Sequence, residues 1–139
     1  MQDFLFVKVE NFYIKLKFSE IFYIQAEKKY VIIATAADVY ISLVSIGQIE
    51  KILPKHLFCR IHRSYIISLE NVEKFDNEIA YVGNKILPIA KQFRTSLKSS
   101  VTIISGEVRS FRLEDGQVDK LLQQINSKKD LTDIGMLRT

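Results

Sequence analysis

Short segments of alternating apolar and polar residues constrain the fold of this chain more than any other sequence feature. From Tyr13 to Phe18, three apolar side chains alternate with a tyrosine and two lysines. A period of two gives a β-strand one face toward a core and one face toward water. Further runs of β-branched and aromatic residues, which favour strands, occupy residues 5–9, 22–24, 30–34, 39–43, 63–69, 72–75, 79–82 and 85–89. The pattern predicts a mainly β fold.

Turn and helix signals divide these strands. Ser45 and Gln48 match a capping box, and apolar residues at 46, 49 and 52 or 53 predict a short helix that ends at Pro54. Gly83-Asn84 suits a tight hairpin turn. Because Pro88 has no N–H to donate, the strand that contains it is predicted to lie at a sheet edge or to end there. Residues 91–100 are polar and compatible with a helix.

The C-terminal part has a different pattern. Residues 101–104 and 108–113 are predicted to pair as a hairpin around Ser105-Gly106. After a turn at Asp115-Gly116, the apolar residues at 118, 121, 122 and 125 have helical spacing and predict an amphipathic helix. The polar residues 127–139 are predicted to form a flexible end. Residues 101–139 are therefore predicted to be an extension that follows a first domain at 1–100.

Composition narrows the class of protein. The 139 residues suffice for one domain with a proper core, and the formal net charge of +4 lies within residues 1–106, where 14 Lys and Arg face 10 Asp and Glu. The single cysteine, Cys59, excludes an intramolecular disulfide, and its apolar neighbours predict a core position. No secretory signal and no long apolar run is visible, so we expect a cytoplasmic protein with no membrane contact.

Catalytic and metal-binding patterns find little support. His56 and His62 lack a third ligand at metal-like spacing, and five scattered glycines form no phosphate-binding loop. We therefore predict no enzyme, no metal and no cofactor. An acid–base pair contributed by two different strands stays open on the sequence alone.

Basic and amide residues near strand ends point instead to nucleic acid. Such side chains reach phosphate oxygens, and arginine can also donate two hydrogen bonds to a guanine edge. Taken singly, each of them is also compatible with an ordinary solvated side chain. The candidates are Lys28, Lys29 and Tyr30; Arg60, His62 and Arg63; Lys85; and Lys91, Gln92 and Arg94.

The segment Phe58-Cys59-Arg60-Ile61-His62-Arg63-Ser64-Tyr65-Ile66-Ile67 closely resembles the central motif of LytTR domains, the DNA-binding modules of one class of bacterial response regulators. Three further segments resemble this family in the same order: residues 18–26 its early strand, residues 45–54 the helix that runs into Leu-Pro, and residues 87–94 its closing segment. The resemblance covers residues 4–100 approximately.

This resemblance implies an elongated β-sandwich of several small antiparallel sheets that inserts loops, rather than a recognition helix, into the major groove. Carried over by position, it places three groups at DNA: Lys28, Lys29 and Tyr30; His62 and Arg63; and Lys91 and Gln92. Arg60 is added as a plausible phosphate ligand, and Arg94 as a further basic candidate for DNA contact. His62 either contacts DNA or supports the loop through a backbone hydrogen bond, and Tyr30 either stacks, contacts phosphate or packs. Ala90-Lys91 departs from the family's Ser-Arg, and lysine lacks the planar two-pronged donor.

The functional expectation is a sequence-specific DNA-binding domain of a bacterial transcriptional regulator, in the manner of a two-component output domain. The resemblance implies double-stranded DNA as partner, with paired direct repeats occupied by two copies as a homodimer on DNA. It also implies an upstream receiver domain or a cognate histidine kinase, and the chain is either a C-terminal domain or a stand-alone member. The alternative is a protein-interaction or dimerisation module without specific DNA binding.

Overall fold

The computed structural model describes residues 2–114 and 117–126. These residues fall into two compact units, with residues 2–102 in the first and residues 103–114 and 117–126 in the second. The first unit is built from strands and short helices. In chain order these are β1 (Phe4–Val9), β2 (Phe12–Lys17), β3 (Ile21–Ala26), β4 (Val31–Thr35), β5 (Val39–Ser42), α1 (Ile46–Ile52), β6 (Phe58–His62), β7 (Tyr65–Ser68), β8 (Val72–Phe75), β9 (Ile79–Val82), β10 (Lys85–Pro88) and α2 (Arg94–Ser99). Single 3-10 turns lie at Phe18–Glu20, Leu69–Asn71 and Lys91–Phe93.

The strands form three small sheets. β1 pairs with β2, the central sheet has the order β5-β4-β3-β7-β6, and the third sheet has the order β10-β9-β8. Every pair is antiparallel. The prediction of a mainly β fold with several small antiparallel sheets and short helices is confirmed.

Apolar side chains cover both faces of the central sheet. Neighbouring residues of a strand point to opposite faces, and Ile66 and Ile67 of β7 accordingly lie in two different core clusters. Ile66 packs with residues of β2 and α1, such as Leu16 and Ile49. Ile67 packs with residues of the third sheet and of α2, together with Cys59, which is buried as predicted.

The predicted cap of α1, the turn at Gly83-Asn84 and the position of Pro88 are confirmed. Ser45 Oγ accepts the Gln48 N–H at 3.1 Å and Gln48 Oε1 accepts the Ser45 N–H at 2.9 Å, so both halves of the capping box form. Of the two alternatives for the last apolar position of α1, Leu53 is buried and Ile52 is 64% exposed. Pro88 is the last residue of an edge strand.

Within the central motif, a strand boundary differs from the prediction. The strand predicted at 63–69 begins only at Tyr65, because Arg63 and Ser64 form a turn that joins β6 to β7. The register between these strands shifts at Ile61: Arg60 pairs with Ile66 and His62 pairs with Tyr65. The extra residue is a β-bulge, a feature that bends a strand and redirects its side chains.

In the second unit the predicted hairpin is wrong, because residues 101–114 contain no strand. Its apolar residues lie largely exposed, Ile104 at 87% and Val108 at 65%. A two-stranded hairpin is marginal in water without a further strand or an apolar face to cover it. The predicted amphipathic helix is present as α3 (Gln117–Asn126). The predicted turn at Asp115-Gly116 and the flexible end at 127–139 lie outside the described residues.

Candidate nucleic-acid interface

The turn between β6 and β7 carries His62 and Arg63. The Arg63 side chain is exposed. His62 is half-buried, its ring lies 5.5 Å from that of Tyr65, and its Nδ1 accepts the backbone N–H of Ser64 at 3.0 Å. This bond requires an unprotonated Nδ1, so the neutral ring carries its proton on Nε2. Of the two roles predicted for His62, the loop-supporting hydrogen bond is therefore present.

The turn between β3 and β4 lies beside it. Lys28 and Lys29 are exposed and Tyr30 is half-buried, and the Glu27 N–H closes the turn by donating to the Tyr30 carbonyl at 2.8 Å. The N–H of Ala26, at the end of β3, donates to the carbonyl of Ser64 at 2.8 Å. This backbone hydrogen bond joins two turns through residues that are 38 positions apart in the chain.

The closing segment, residues 87–94, contacts β6 next to the β6–β7 turn. The Ala90 N–H donates to the carbonyl of Ile61, the bulged residue of β6, at 2.9 Å. Lys91 and Gln92 follow in a 3-10 turn and are exposed. We call residues 27–30, 62–64 and 90–92 together the three-segment surface.

Arg60 is held differently from these exposed cations. Its Nε donates to the carbonyl of His62 at 2.8 Å and its Nη2 to the carbonyl of Arg63 at 2.6 Å. Its Nη1 forms an ion pair with Glu50 Oε1 of α1 at 2.6 Å. All three guanidinium nitrogens thus contact protein oxygens, and the side chain is 18% exposed.

Comparison with known proteins decides the family. The LytTr DNA-binding domain family matches residues 11–102, which is more than half of the chain. The chain belongs to the LytTR family of DNA-binding domains. A solved LytTr DNA-binding domain, from a protein described as a methyl-accepting/DNA response regulator of Bacillus cereus, superposes with a TM-score of 0.61 at 19% identity, over 72% of this chain and 97% of that one. At this identity the likeness concerns the fold alone. A search of curated proteins finds no match.

The resemblance to LytTR domains and their mainly β fold, both expected from the sequence, are thereby confirmed. LytTR is a family of DNA-binding domains, typical of response-regulator output domains, and not a family of enzymes. Within residues 2–114 and 117–126, no group of three or more His, Cys, Asp or Glu could hold a metal ion. In the same ranges no helix has the length and apolarity needed to cross a membrane.

Arg94 of this LytTR domain contacts the turn between β8 and β9. Its Nε donates to the carbonyl of Asn77, in the turn between β8 and β9, at 2.7 Å. In that turn the Asp76 carboxylate accepts the N–H groups of Glu78 and Ile79, and these hydrogen bonds hold the pKa of Asp76 below its ordinary value. This contact uses the Nε of Arg94, and a DNA contact by Arg94 stays a prediction.

In this LytTR domain, Arg60 also contacts a residue that the sequence analysis assigned only to a helix. Glu50 lies ten positions before Arg60, on a different element. No periodicity links a helical carboxylate to an arginine on a bulged strand, so the sequence carries no local signal for this pair. The structure identifies it through the 2.6 Å ion pair alone.

Proposed function

We propose that the chain binds double-stranded DNA sequence-specifically through the three-segment surface and acts as an output domain in bacterial transcription regulation. One observation carries the proposal. The hydrogen bonds from Ala26 to Ser64 and from Ala90 to Ile61 set three exposed cationic segments side by side. Cations that neutralise phosphates supply much of the affinity for DNA, while side chains at base edges supply specificity.

The residues of the surface suit different parts of this task. Arg63 is an exposed guanidinium on a short turn whose backbone is held by His62 and Arg60, which favours a directed contact with a base edge. Lys28, Lys29 and Lys91 are exposed, and a lysine ammonium, a point charge on a long stem, suits phosphate contacts. His62 presents Nε2–H as a donor, and Gln92 can pair with an adenine edge. Tyr30, half-buried, is assigned to support of the β3–β4 turn.

The wider setting is part of the same proposal. We assign DNA binding to residues 1–100 and treat residues 101–139 as an extension outside the DNA contact. Paired direct repeats in promoters would be occupied by two copies, as a homodimer on DNA. Control would come from a receiver domain attached upstream or through a cognate histidine kinase, in the cytoplasm. Support comes from the family, since its domains are typical outputs of response regulators.

A second candidate function is a protein-interaction module. It is favoured by the edge strand β5, on which Val39 is 59% and Ile41 is 66% exposed. Both residues line an open cavity of about 630 Å³, together with Phe6 and Ile52. Binding there would rest on apolar burial and would depend weakly on salt, whereas DNA binding through several cations weakens steeply as salt rises.

Selection from a random duplex library tests the proposal without knowledge of the operator. We expect the chain to enrich a defined site and to bind it at least about a thousandfold more tightly than a scrambled duplex of equal composition. Equal affinity for both duplexes at all salt concentrations would contradict sequence-specific binding.

For the selected site, Arg63→Ala is expected to weaken the binding free energy by about 1–3 kcal/mol, because a base contact is lost. The loss on scrambled DNA should be smaller, which fluorescence anisotropy with both duplexes measures. Arg109→Ala is a matched control, since Arg109 is exposed and lies outside the family match. An equal loss on both duplexes would assign Arg63 to phosphate instead of a base.

A further inference from the structure

The backbone of the turn that carries Arg63 accepts hydrogen bonds from the side chain of Arg60. Arg60 reaches forward along the chain and donates to two consecutive carbonyls, those of His62 and Arg63. The bulge at Ile61 lies between Arg60 and His62. Because a planar guanidinium offers its donors in a fixed fork, these two bonds fix the orientation of two successive peptide groups in the turn.

Glu50 accepts the third hydrogen bond of the Arg60 guanidinium. Its carboxylate accepts from Nη1 at 2.6 Å, and it belongs to α1, whose Ile49 is buried in the core. The turn is therefore connected through Arg60 to a helix that is itself anchored. The charges of Arg60 and Glu50 also offset each other, so the pair adds little net attraction for a phosphate.

Three of the five N–H donors of the Arg60 guanidinium are already bonded to protein oxygens, and the side chain is only 18% exposed, so little of it is open to a phosphate. One of these contacts is an ion pair, and charged hydrogen bonds are the stronger class. Lys28, Lys29 and Lys91 are exposed instead, and within the part of the chain that the structure describes they form no ion pair.

We propose that Arg60 and Glu50 form a positioning pair that fixes the His62–Ser64 turn for base contact by Arg63, and that Arg60 is not itself a phosphate ligand. The proposal rests on the DNA-binding function proposed above. It assigns to Glu50, a carboxylate, a favourable part in binding a polyanion.

The sign of the Glu50→Ala effect separates the two roles of Arg60. Removal of a negative charge close to a DNA-binding surface ordinarily raises affinity for DNA. If the pair positions the turn, Glu50→Ala instead lowers affinity for the selected duplex roughly tenfold, about the net value of one charged hydrogen bond. Glu70→Ala, at an exposed carboxylate of the Leu69–Asn71 turn, is the matched control and should not lower affinity.

Arg60→Lys is a second variant that tests the proposal, because lysine keeps the positive charge but cannot bind three acceptors in one plane. We expect it to lose affinity as Glu50→Ala does, and the double variant to be little worse than either single variant because the two residues act as a unit. Higher affinity in Glu50→Ala, or full affinity in Arg60→Lys, would overturn the proposal and make Arg60 a phosphate ligand.

Hydrogen exchange without DNA distinguishes failure of this proposal from failure of the proposed function. The Ser64 N–H, bound to His62 Nδ1, should exchange roughly tenfold faster in Glu50→Ala, since a lost bond of this size opens the turn. That result would stand even if the wild-type chain bound no DNA. An unchanged Ser64 rate would overturn the positioning role whether or not DNA binds.

Discussion

Gly83→Ala is expected to lower the free energy of unfolding by about 2–4 kcal/mol, the combined cost of a left-handed backbone and a steric clash. Gly83 has a φ of 61° in the turn between β9 and β10. A Cβ built there would lie 2.6 Å from Cδ2 and 2.8 Å from Cε2 of Phe22. Phe22 packs against the core cluster between the central and third sheets, so its ring cannot withdraw without loss of packing.

Gly47→Ala is the matched control for this substitution. Gly47 lies in α1, and the nearest atom to a Cβ there is Ser45 Oγ at 3.9 Å. Alanine favours a helix over glycine by up to about 1 kcal/mol, so this change should be neutral or stabilising. Urea denaturation of both variants measures the difference. Equal unfolding free energies for the two would show that Phe22 and the backbone at 83 adapt freely.

The second large effect concerns the cations of the three-segment surface. Replacement of four of them by alanine should reduce the slope of log affinity against log salt by about 2.7, since each of the three lysines proposed to contact phosphate contributes about 0.9 and Arg63 is proposed to contact a base. At low salt the affinity should fall at least about a hundredfold, because this term supplies most non-specific binding. The four substitutions are Lys28→Ala, Lys29→Ala, Arg63→Ala and Lys91→Ala.

A control variant removes the same amount of charge from other exposed positions. Its four lysines lie on the β1–β2 hairpin and on β8: Lys8, Lys15, Lys17 and Lys74. We expect its salt slope to stay near the wild-type value. Anisotropy titrations at several salt concentrations compare the two variants. If both slopes fell equally, net charge rather than the three-segment surface would explain the affinity.

Much of this fold follows from local signals. The alternation at 13–18 gave a strand, the Ser45–Gln48 pair gave a capped helix, and Gly83-Asn84 gave a turn, because each is a property of a few adjacent residues. The family motifs likewise identified the three segments that meet at one end of the central sheet. These segments lie far apart in the chain, and backbone hydrogen bonds from Ala26 and Ala90 join them.

The features that the sequence did not predict depend on long-range pairing. Arg63-Ser64 contains no glycine or asparagine, so its composition did not indicate a turn. It also directly precedes the strand residues Tyr65–Ser68 and was therefore predicted as part of that strand. The bulge at Ile61 exists only as a register between β6 and β7. Conversely, residues 101–113 carry a hairpin pattern, but no third strand pairs with them in the described chain, and pattern alone does not stabilise a two-stranded hairpin.

Amide chemical shifts of the ¹⁵N-labelled chain, recorded as the selected duplex is added, test the central claim most directly. The account predicts that the largest changes fall at residues 27–30, 62–64 and 90–92, with small changes on the β1–β2 hairpin and β5. The largest changes on β5 and the β1–β2 hairpin, with the three segments unaffected, would contradict it.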